Sequence, residues 1–131
     1  MREQYLLDTH IILAMVEERQ HELPLRIREG IIDTAAPVWV SVLSLWEIAM
    51  KSRVGKLSLT TPLSGWPDAL FLLGAHLLEI EFRHVIADIG SEPLTKDPFD
   101  RLLLGICAVE DMKLVTIDRA LADHPLAWRA N

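Results

Sequence analysis

Short apolar segments alternate with segments of helical periodicity along the whole chain of 131 residues, and this alternation limits the possible folds most. Four segments have the length and the apolar or β-branched content of buried strands: YLLD (5–8), PVWVS (37–41), HLLEIEF (76–82) and KLVTID (113–118). Strands that alternate with helices are joined by right-handed crossovers, which make the strands parallel and place helices on both faces of the sheet. The sequence therefore predicts an α/β fold with a mostly parallel central sheet.

The segments between the predicted strands have the apolar spacing of helices. They cover residues 11–20, 24–35, 44–57 with a stop at Gly55, 66–76, a short helix within 83–93 that closes near Gly90, and 98–112. The last of them is apolar on nearly every side, which predicts a central buried helix. No internal repeat and no Gly/Ser-rich or Pro-rich linker divides the chain. We therefore expect a single domain over residues 1–131.

Composition and missing motifs exclude several classes of protein. The single cysteine, Cys107, allows no internal disulfide and lies in an apolar segment, which is typical of a reducing environment. The sequence has no secretory signal, and no apolar run approaches the roughly 20 residues of a membrane span, which predicts a soluble cytoplasmic protein. HExxH, GxxxxGK[ST], GxGxxG and GxSxG are all absent, so a zinc site, a glycine-rich phosphate loop and a serine hydrolase are not expected.

The net charge of −6 argues against a protein that binds nucleic acid through a basic surface alone. An acidic surplus has another meaning when the carboxylates are gathered in one site, because a bound cation then offsets them. The positions of the acids therefore decide how this charge is interpreted.

Two aspartates come directly after predicted strands, Asp8 after the first and Asp118 at the end of the last. Parallel α/β sheets bind ligands outside the carboxyl ends of their strands, so both are candidates for a site, although each can also cap the helix that follows it. In KDPFD, Asp97 is predicted to cap the helix that begins at Pro98. Asp100 lies in the first turn of that apolar helix, which we interpret as a position at the floor of a cleft.

Glu47, in the segment SLWE, has two interpretations. It forms a capping box with Ser44 if the helix begins there. If the helix begins nearer Ser41, Glu47 lies within it, and capping does not explain it.

Acids from two strand ends and two helix starts are expected to converge on one crevice. Carboxylates a few ångström apart repel by roughly 4 kcal/mol per close pair at an effective dielectric constant near 20, so such a cluster requires a cation or bound protons. Oxygen ligands around an open position suit Mg²⁺ or Mn²⁺. The pattern thus favours a divalent metal site.

The segments LLDTH, SLWEIAMKSRVGKL, DPFDRLLLGICAVE and LVTID, in this order, resemble the PIN domain, in particular the VapC-type toxins of bacterial toxin–antitoxin pairs. The resemblance extends from about Tyr5 to Trp128. It implies a three-layer α/β/α sandwich and Mg²⁺-dependent cleavage of RNA that leaves a 5′-phosphate. It also implies an antitoxin that covers the site, and a homodimer.

Carried onto this sequence, the resemblance gives an acidic quartet of catalytic and metal-binding residues: Asp8, Glu47, Asp100 and Asp118. Thr9 and Thr116 are similar to hydroxyl residues that support such a site. Basic residues close to the quartet in sequence are candidates for substrate binding: Lys51, Lys96, Arg101 and Arg119.

The function predicted from the sequence is that of a Mg²⁺- or Mn²⁺-dependent endoribonuclease, the toxin of a type II toxin–antitoxin pair. Asp8 and Asp100 are the first choices for direct metal ligands, with Glu47 orienting water and Asp118 holding a second ion. Two alternatives are a PIN-like module that binds RNA or protein without catalysis, and a phosphohydrolase with Asp8 as nucleophile. The second lacks the further acid two residues on, where this chain has His10.

Overall fold

The computed structural model describes residues 3–130 and has a four-stranded sheet at its centre. The strands are β1 (Gln4–Leu7), β2 (Val38–Ser41), β3 (Ala75–Leu78) and β4 (Met112–Val115). Their order is β3-β2-β1-β4, and each neighbouring pair is parallel. The predicted α/β fold with a parallel sheet is confirmed. Strands β2 and β3 follow β1 along the chain on one side of it, whereas β4 pairs with β1 on the other side. The direction in which successive strands are added to the sheet therefore reverses at β1.

Helices connect the strands and cover the sheet. They are α1 (Thr9–Val16), α2 (Leu25–Ile27), α3 (Val42–Arg53), α4 (Trp66–Leu72), α5 (Phe82–Val85), α6 (Pro98–Glu110) and α7 (Arg119–Ala122), with short 3₁₀ turns at Gln20–Glu22 and Leu63–Gly65. Within residues 3–130, no helix has both the length and the apolar character that crossing a membrane requires.

Side chains from successive strand residues pack on opposite faces of the sheet, because they alternate along a strand. Leu7 and Val115 belong to a buried cluster with α1 and α4, whereas Leu6 and Leu114 belong to a second cluster with α6. Both faces are therefore covered by helices, which is the predicted three-layer arrangement.

Helix α6 is the central buried helix that the sequence predicts. Leu104, Ile106 and Cys107 have no exposed surface, and burial raises the pKa of the Cys107 thiol. Gly105 lets this helix approach α5 closely, since a Cβ at this position would lie 2.4 Å from the carbonyl oxygen of His84. The backbones of α5 and α6 are thus in direct contact.

Two predicted elements between β2 and α6 are too long. The helix predicted from residue 83 to near Gly90 is wrong beyond Val85, where α5 ends. Gly90 has φ of +79°, and its N–H donates to Asp88 Oδ1 at 2.8 Å, so it lies in a turn. The strand predicted over 76–82 ends at Leu78. Its partner strand β2 ends at Ser41, the residue paired with Leu78, and the chain then enters α3.

The helix predicted over 24–35 is interrupted, because α2 passes into a π-helical stretch at Arg28–Ile32. Gly30 in this stretch faces the indole of Trp128, and a Cβ there would lie 2.6 Å from the ring. The π-helical turn, which is wider than an α-helical turn, therefore lies where the indole of Trp128 packs against the backbone of Gly30.

Candidate functional site

The carboxyl ends of β1 and β4 bring Asp8 and Asp118 to the same edge of the sheet. The two strands pair in register up to Leu7 and Val115, and the N–H of Asp8 donates to the carbonyl of Val115 at 3.0 Å. Asp8 is the N-cap of α1 and Asp118 is the N-cap of α7. Both acids therefore lie where the strand order reverses, which is the place where such sheets bind ligands.

Asp8 is held firmly in a nearly buried position, with 5% of its surface exposed. Its Oδ1 accepts a hydrogen bond from the N–H of Thr9 at 2.8 Å, and its Oδ2 accepts one from the hydroxyl of Thr116 at 2.6 Å. Burial raises the pKa of Asp8, the hydrogen bonds from Thr116 and Thr9 oppose this shift, and the charge of Asp118 adds to it. The carboxylate is therefore fixed in orientation, and its negative charge is only partly compensated.

Thr116 connects the two strand-end acids. Its hydroxyl donates to Asp8 and accepts a hydrogen bond from the N–H of Asp118 at 3.0 Å. Asp118 Oδ1 accepts from the N–H of Ala120 at 2.9 Å, so the capping role expected of Asp118 is present together with its place beside Asp8.

Asp100 approaches this pair from the first turn of α6. Its pKa is raised to about 6, first by burial and then by the negative charges of Asp97, Asp8 and Asp118. Asp97 is the predicted N-cap of α6 and accepts from the N–H of Phe99 at 2.9 Å. Three aspartates from distant parts of the sequence thus share one electrostatic environment.

Glu47 reaches the same place from α3. This helix begins with Ser41 as its N-cap, whose hydroxyl accepts from the N–H of Leu43 at 3.0 Å, so Glu47 lies inside the helix and the capping-box interpretation is wrong. Glu47 Oε1 accepts from the hydroxyl of Thr9 at 2.8 Å, and Glu47 Oε2 pairs with Lys51 Nζ at 2.8 Å. Thr9 therefore connects Glu47 to the segment that carries Asp8.

The chemistry of this acidic quartet fits a hard divalent cation. All the donors are carboxylate oxygens. Burial first, and then ionised neighbours, raise the pKa of Asp8 and Asp100, so a positive charge between them would stabilise the ionised forms. Among residues 3–130, no three acids of the quartet have oxygens within 4.8 Å of one another. A divalent ion at the quartet would therefore be bound to one or two carboxylates at a time and keep several water ligands, as Mg²⁺ usually does.

A second group of possible ligands, Glu81, His84 and Glu110, has ligand atoms within 4.8 Å of one another but is occupied by its own hydrogen bonds. His84 Nδ1 accepts from the N–H of Glu81, so the proton is on Nε2, which donates to Glu110 at 2.8 Å. Arg83 Nη2 contacts both carboxylates, at 2.8 and 2.6 Å. Glu110 ends α6, about 15 Å along the helix from Asp100. This group connects α5 to α6 and leaves no nitrogen lone pair for a metal.

The predicted basic residues differ in their surroundings. Lys96 and Arg119 are exposed, and Lys51 is paired with Glu47. Arg101 donates from Nη2 to the carbonyl of Ala87 at 3.1 Å and lies 3.5 Å from Glu92, so its guanidinium points toward the loop after α5. These contacts engage the guanidinium of Arg101 within the protein.

An aromatic pair next to the quartet was not predicted from the sequence. Trp46 on α3 and Phe99 on α6 have ring centroids 5.6 Å apart, and each ring precedes an acid of the quartet by one residue. The sequence shows only that an aromatic residue precedes Glu47 and another precedes Asp100. The contact between the two rings arises from the tertiary fold.

Comparison with known proteins identifies the family. The PIN domain profile matches residues 5–125, and the chain belongs to the PIN domain family. PIN domains are generally nucleases, which supports a hydrolase activity. One structure with the same fold is a chain of VapBC2 from Rickettsia felis bound to a DNA fragment from their promoter, with a TM-score of 0.63 and 17% identity over 95% of each chain. Comparison with curated protein sequences finds no match.

Proposed function

We propose that this protein is a Mg²⁺- or Mn²⁺-dependent endoribonuclease that hydrolyses RNA phosphodiester bonds, and that it is the toxin of a type II toxin–antitoxin pair. The observation that carries the proposal is the position of Asp8 and Asp118 at the ligand-binding edge of the parallel sheet, with Asp100 close enough to feel both charges. Burial raises the pKa of Asp100 most, and the charges of Asp97, Asp8 and Asp118 raise it further, so a cation bound there would stabilise the ionised carboxylates. Membership in a family of nucleases supports the same reaction.

The chain's own residues have distinct roles in this proposal. Thr9 N–H and the Thr116 hydroxyl hold Asp8 in one orientation, which prepares it as a direct ligand. Asp100 is the second direct ligand, Asp118 serves a second ion, and Glu47 orients the attacking water. When bound, the ion neutralises charge on the phosphate and makes water more acidic. Hydrolysis by water leaves no covalent bond between the enzyme and the substrate.

The contacts of Asp8 argue against a phosphohydrolase that uses it as a nucleophile. Both of its oxygens accept hydrogen bonds, and only 5% of the residue is exposed. These contacts fix the carboxylate in one orientation, as expected for a metal ligand. A phosphohydrolase of this kind also presents a further acid two residues on, where this chain has His10. We therefore assign Asp8 to metal binding.

The proposed partners are an RNA substrate, a cognate antitoxin protein and a second copy of the chain. The VapBC2 structure carries the name of a two-component complex, and the present chain shares the fold of one of its chains. Under this proposal the antitoxin covers the acidic quartet and blocks access to it.

The test is incubation of the purified protein with defined RNAs in Mg²⁺, in Mn²⁺ and in EDTA. We expect internal cleavage in either ion, none in EDTA, and recovery when Mg²⁺ is restored. We also expect a rise in melting temperature on adding Mg²⁺, because an ion that binds only the folded state stabilises it. Absence of both cleavage and a thermal shift would indicate a binding module without catalysis. Cleavage that persists in EDTA would show that the quartet has been misassigned.

Thr116→Val tests whether the hydrogen bond from the Thr116 hydroxyl orients Asp8 for metal binding. Loss of the hydrogen bond to Oδ2 removes an interaction that lowers the pKa of Asp8, so this pKa rises and the acid side of the pH–rate profile moves to higher pH. We expect RNA cleavage near neutral pH to fall by about 10- to 100-fold, as for other residues that orient metal ligands. Thr116→Ser keeps the hydroxyl and is expected to restore the wild-type profile. A Val variant with an unshifted profile would exclude this role.

A further inference from the structure

We propose that Trp46 and Phe99 form a platform on which one nucleobase of the RNA substrate stacks, next to the phosphodiester bond that is cleaved. This inference rests on the proposed function and adds to it a means of holding the substrate. The pair is defined by ring centroids 5.6 Å apart with planes inclined at 33°.

The pair lies between the two helices that deliver acids to the quartet. Trp46 precedes Glu47 on α3, and Phe99 lies between the cap Asp97 and Asp100 on α6. The two ring-bearing residues therefore directly precede two of the four carboxylates in the chain, Glu47 and Asp100. Under this proposal, a base stacked on the pair places its phosphates close to these acids.

The exposure of Trp46 leaves a large aromatic surface available to a ligand. Trp46 is 54% exposed, whereas Trp66 is 3% exposed and the other two tryptophans are partly buried. Phe99, in contrast, packs against the buried cluster of α6, which fixes the platform to the core. A rigid ring with a free face binds a planar base with little loss of side-chain freedom.

The charges around the site favour stacking over contacts to phosphate. The chain has a net charge of −6, Lys51 is paired with Glu47, and the Arg101 guanidinium binds the carbonyl of Ala87. Two of the four basic residues near the quartet in sequence are therefore engaged by the protein itself, which leaves the exposed Lys96 and Arg119 for the RNA backbone. Single-stranded RNA is commonly bound by bases stacked on aromatic side chains, an interaction that needs no charge on the protein.

Trp46→Ala is expected to weaken RNA binding and lower kcat/KM for single-stranded RNA by about 5- to 150-fold, the range found when aromatic stacking residues are removed. Trp46→Phe keeps a ring and is expected to retain most of the activity. Phe71→Ala is the matched control, because Phe71 is 82% exposed on α4 and outside the acidic quartet. The loss in Trp46→Ala is expected to persist in high salt, since stacking is not screened.

The decisive experiment removes the base instead of the ring. A series of labelled RNAs, each with one abasic nucleotide near the cleavage site, is compared on wild type and on Trp46→Ala. We expect wild type to lose affinity and rate at one position, and Trp46→Ala to show no further loss there. Equal losses in both proteins at every position would overturn the platform. So would a Trp46→Ala variant that binds and cleaves RNA normally but no longer self-associates, since the exposed ring would then be a protein contact.

Binding measured in EDTA by fluorescence anisotropy separates this inference from the proposed function. RNA that binds wild type more tightly than Trp46→Ala, without any cleavage in Mg²⁺, would retain the platform and refute the nuclease. Cleavage in Mg²⁺ that is insensitive to Trp46→Ala would retain the nuclease and refute the platform.

Discussion

Asp100→Asn is expected to reduce RNA cleavage by about 10³-fold or more, because loss of several kcal/mol of metal-assisted charge stabilisation corresponds to a rate effect of this size. The same change is expected to stabilise the fold. In wild type the pKa of Asp100 is about 6 against an ordinary value of 3.8, which means that folding holds a charged carboxylate in an unfavourable place. Asn has the same shape and no charge.

The sign of the stability change can be checked by pH. Because the folded-state pKa is raised, Asp100 binds its proton more tightly in the folded chain than in the unfolded chain. In EDTA, the contribution of Asp100 to the free energy of unfolding therefore falls as the pH rises from about 4 to about 6. Asp100→Asn is expected to remove this fall, on the order of 1 kcal/mol after allowance for solvent around the side chain.

Cleavage assays, thermal melts in EDTA and melts in Mg²⁺ measure these effects together. Asp97→Asn is the matched control: it lies three residues earlier on the same helix, and Asn also caps helices, so activity and stability are expected to stay near those of wild type. Asp8→Asn is expected to behave like Asp100→Asn. Full activity in both quartet variants would refute the assignment of these acids. Total loss in Asp97→Asn would show that the cap also binds metal.

Gly105→Ala is expected to lower the free energy of unfolding by about 1 to 3 kcal/mol, the usual cost of extra volume in a packed interior. The added Cβ would lie 2.4 Å from the carbonyl oxygen of His84, and a backbone atom cannot move aside as a flexible side chain can. Ala is by itself a better helix former than Gly by about 1 kcal/mol. A measured loss therefore reports the contact between α5 and α6 and not helix propensity.

Urea denaturation of Gly105→Ala and Gly65→Ala gives the comparison. A Cβ on Gly65 would have Thr61 Cγ2 as its nearest neighbour at 3.6 Å, an ordinary contact, and its φ of −92° suits any residue. Gly65→Ala is thus expected to be neutral or slightly stabilising. Equal stability of Gly105→Ala and wild type would mean that α5 and α6 separate at little cost.

The sheet and the acids at its edge were predictable because both depend on local patterns. Apolar alternation locates the strands, and parallel pairing then requires Asp8 and Asp118 to lie at the same edge. Placement of Asp97 as a cap follows from the residues beside it.

The remaining features depend on contacts between distant residues. Gly90 indicates that the predicted helix closes there, but no local signal shows that it ends as early as Val85, and the end of β3 is decided by its partner β2. The start of α3 at Ser41 places Glu47 inside the helix, a choice that sequence alone left open. The pairing of Trp46 with Phe99 and the turning of Arg101 toward Ala87 likewise arise from packing.

Asp118 begins α7, a helix of only four residues, and also stands beside Asp8. A single turn has little intrinsic stability, since helix nucleation is costly and few hydrogen bonds repay it. Fraying of this turn would withdraw one acid while the sheet remains intact. If the proposed nuclease activity is present, we therefore expect thermal inactivation to begin at a lower temperature than the loss of secondary structure, and a ligand bound among the acids to protect both.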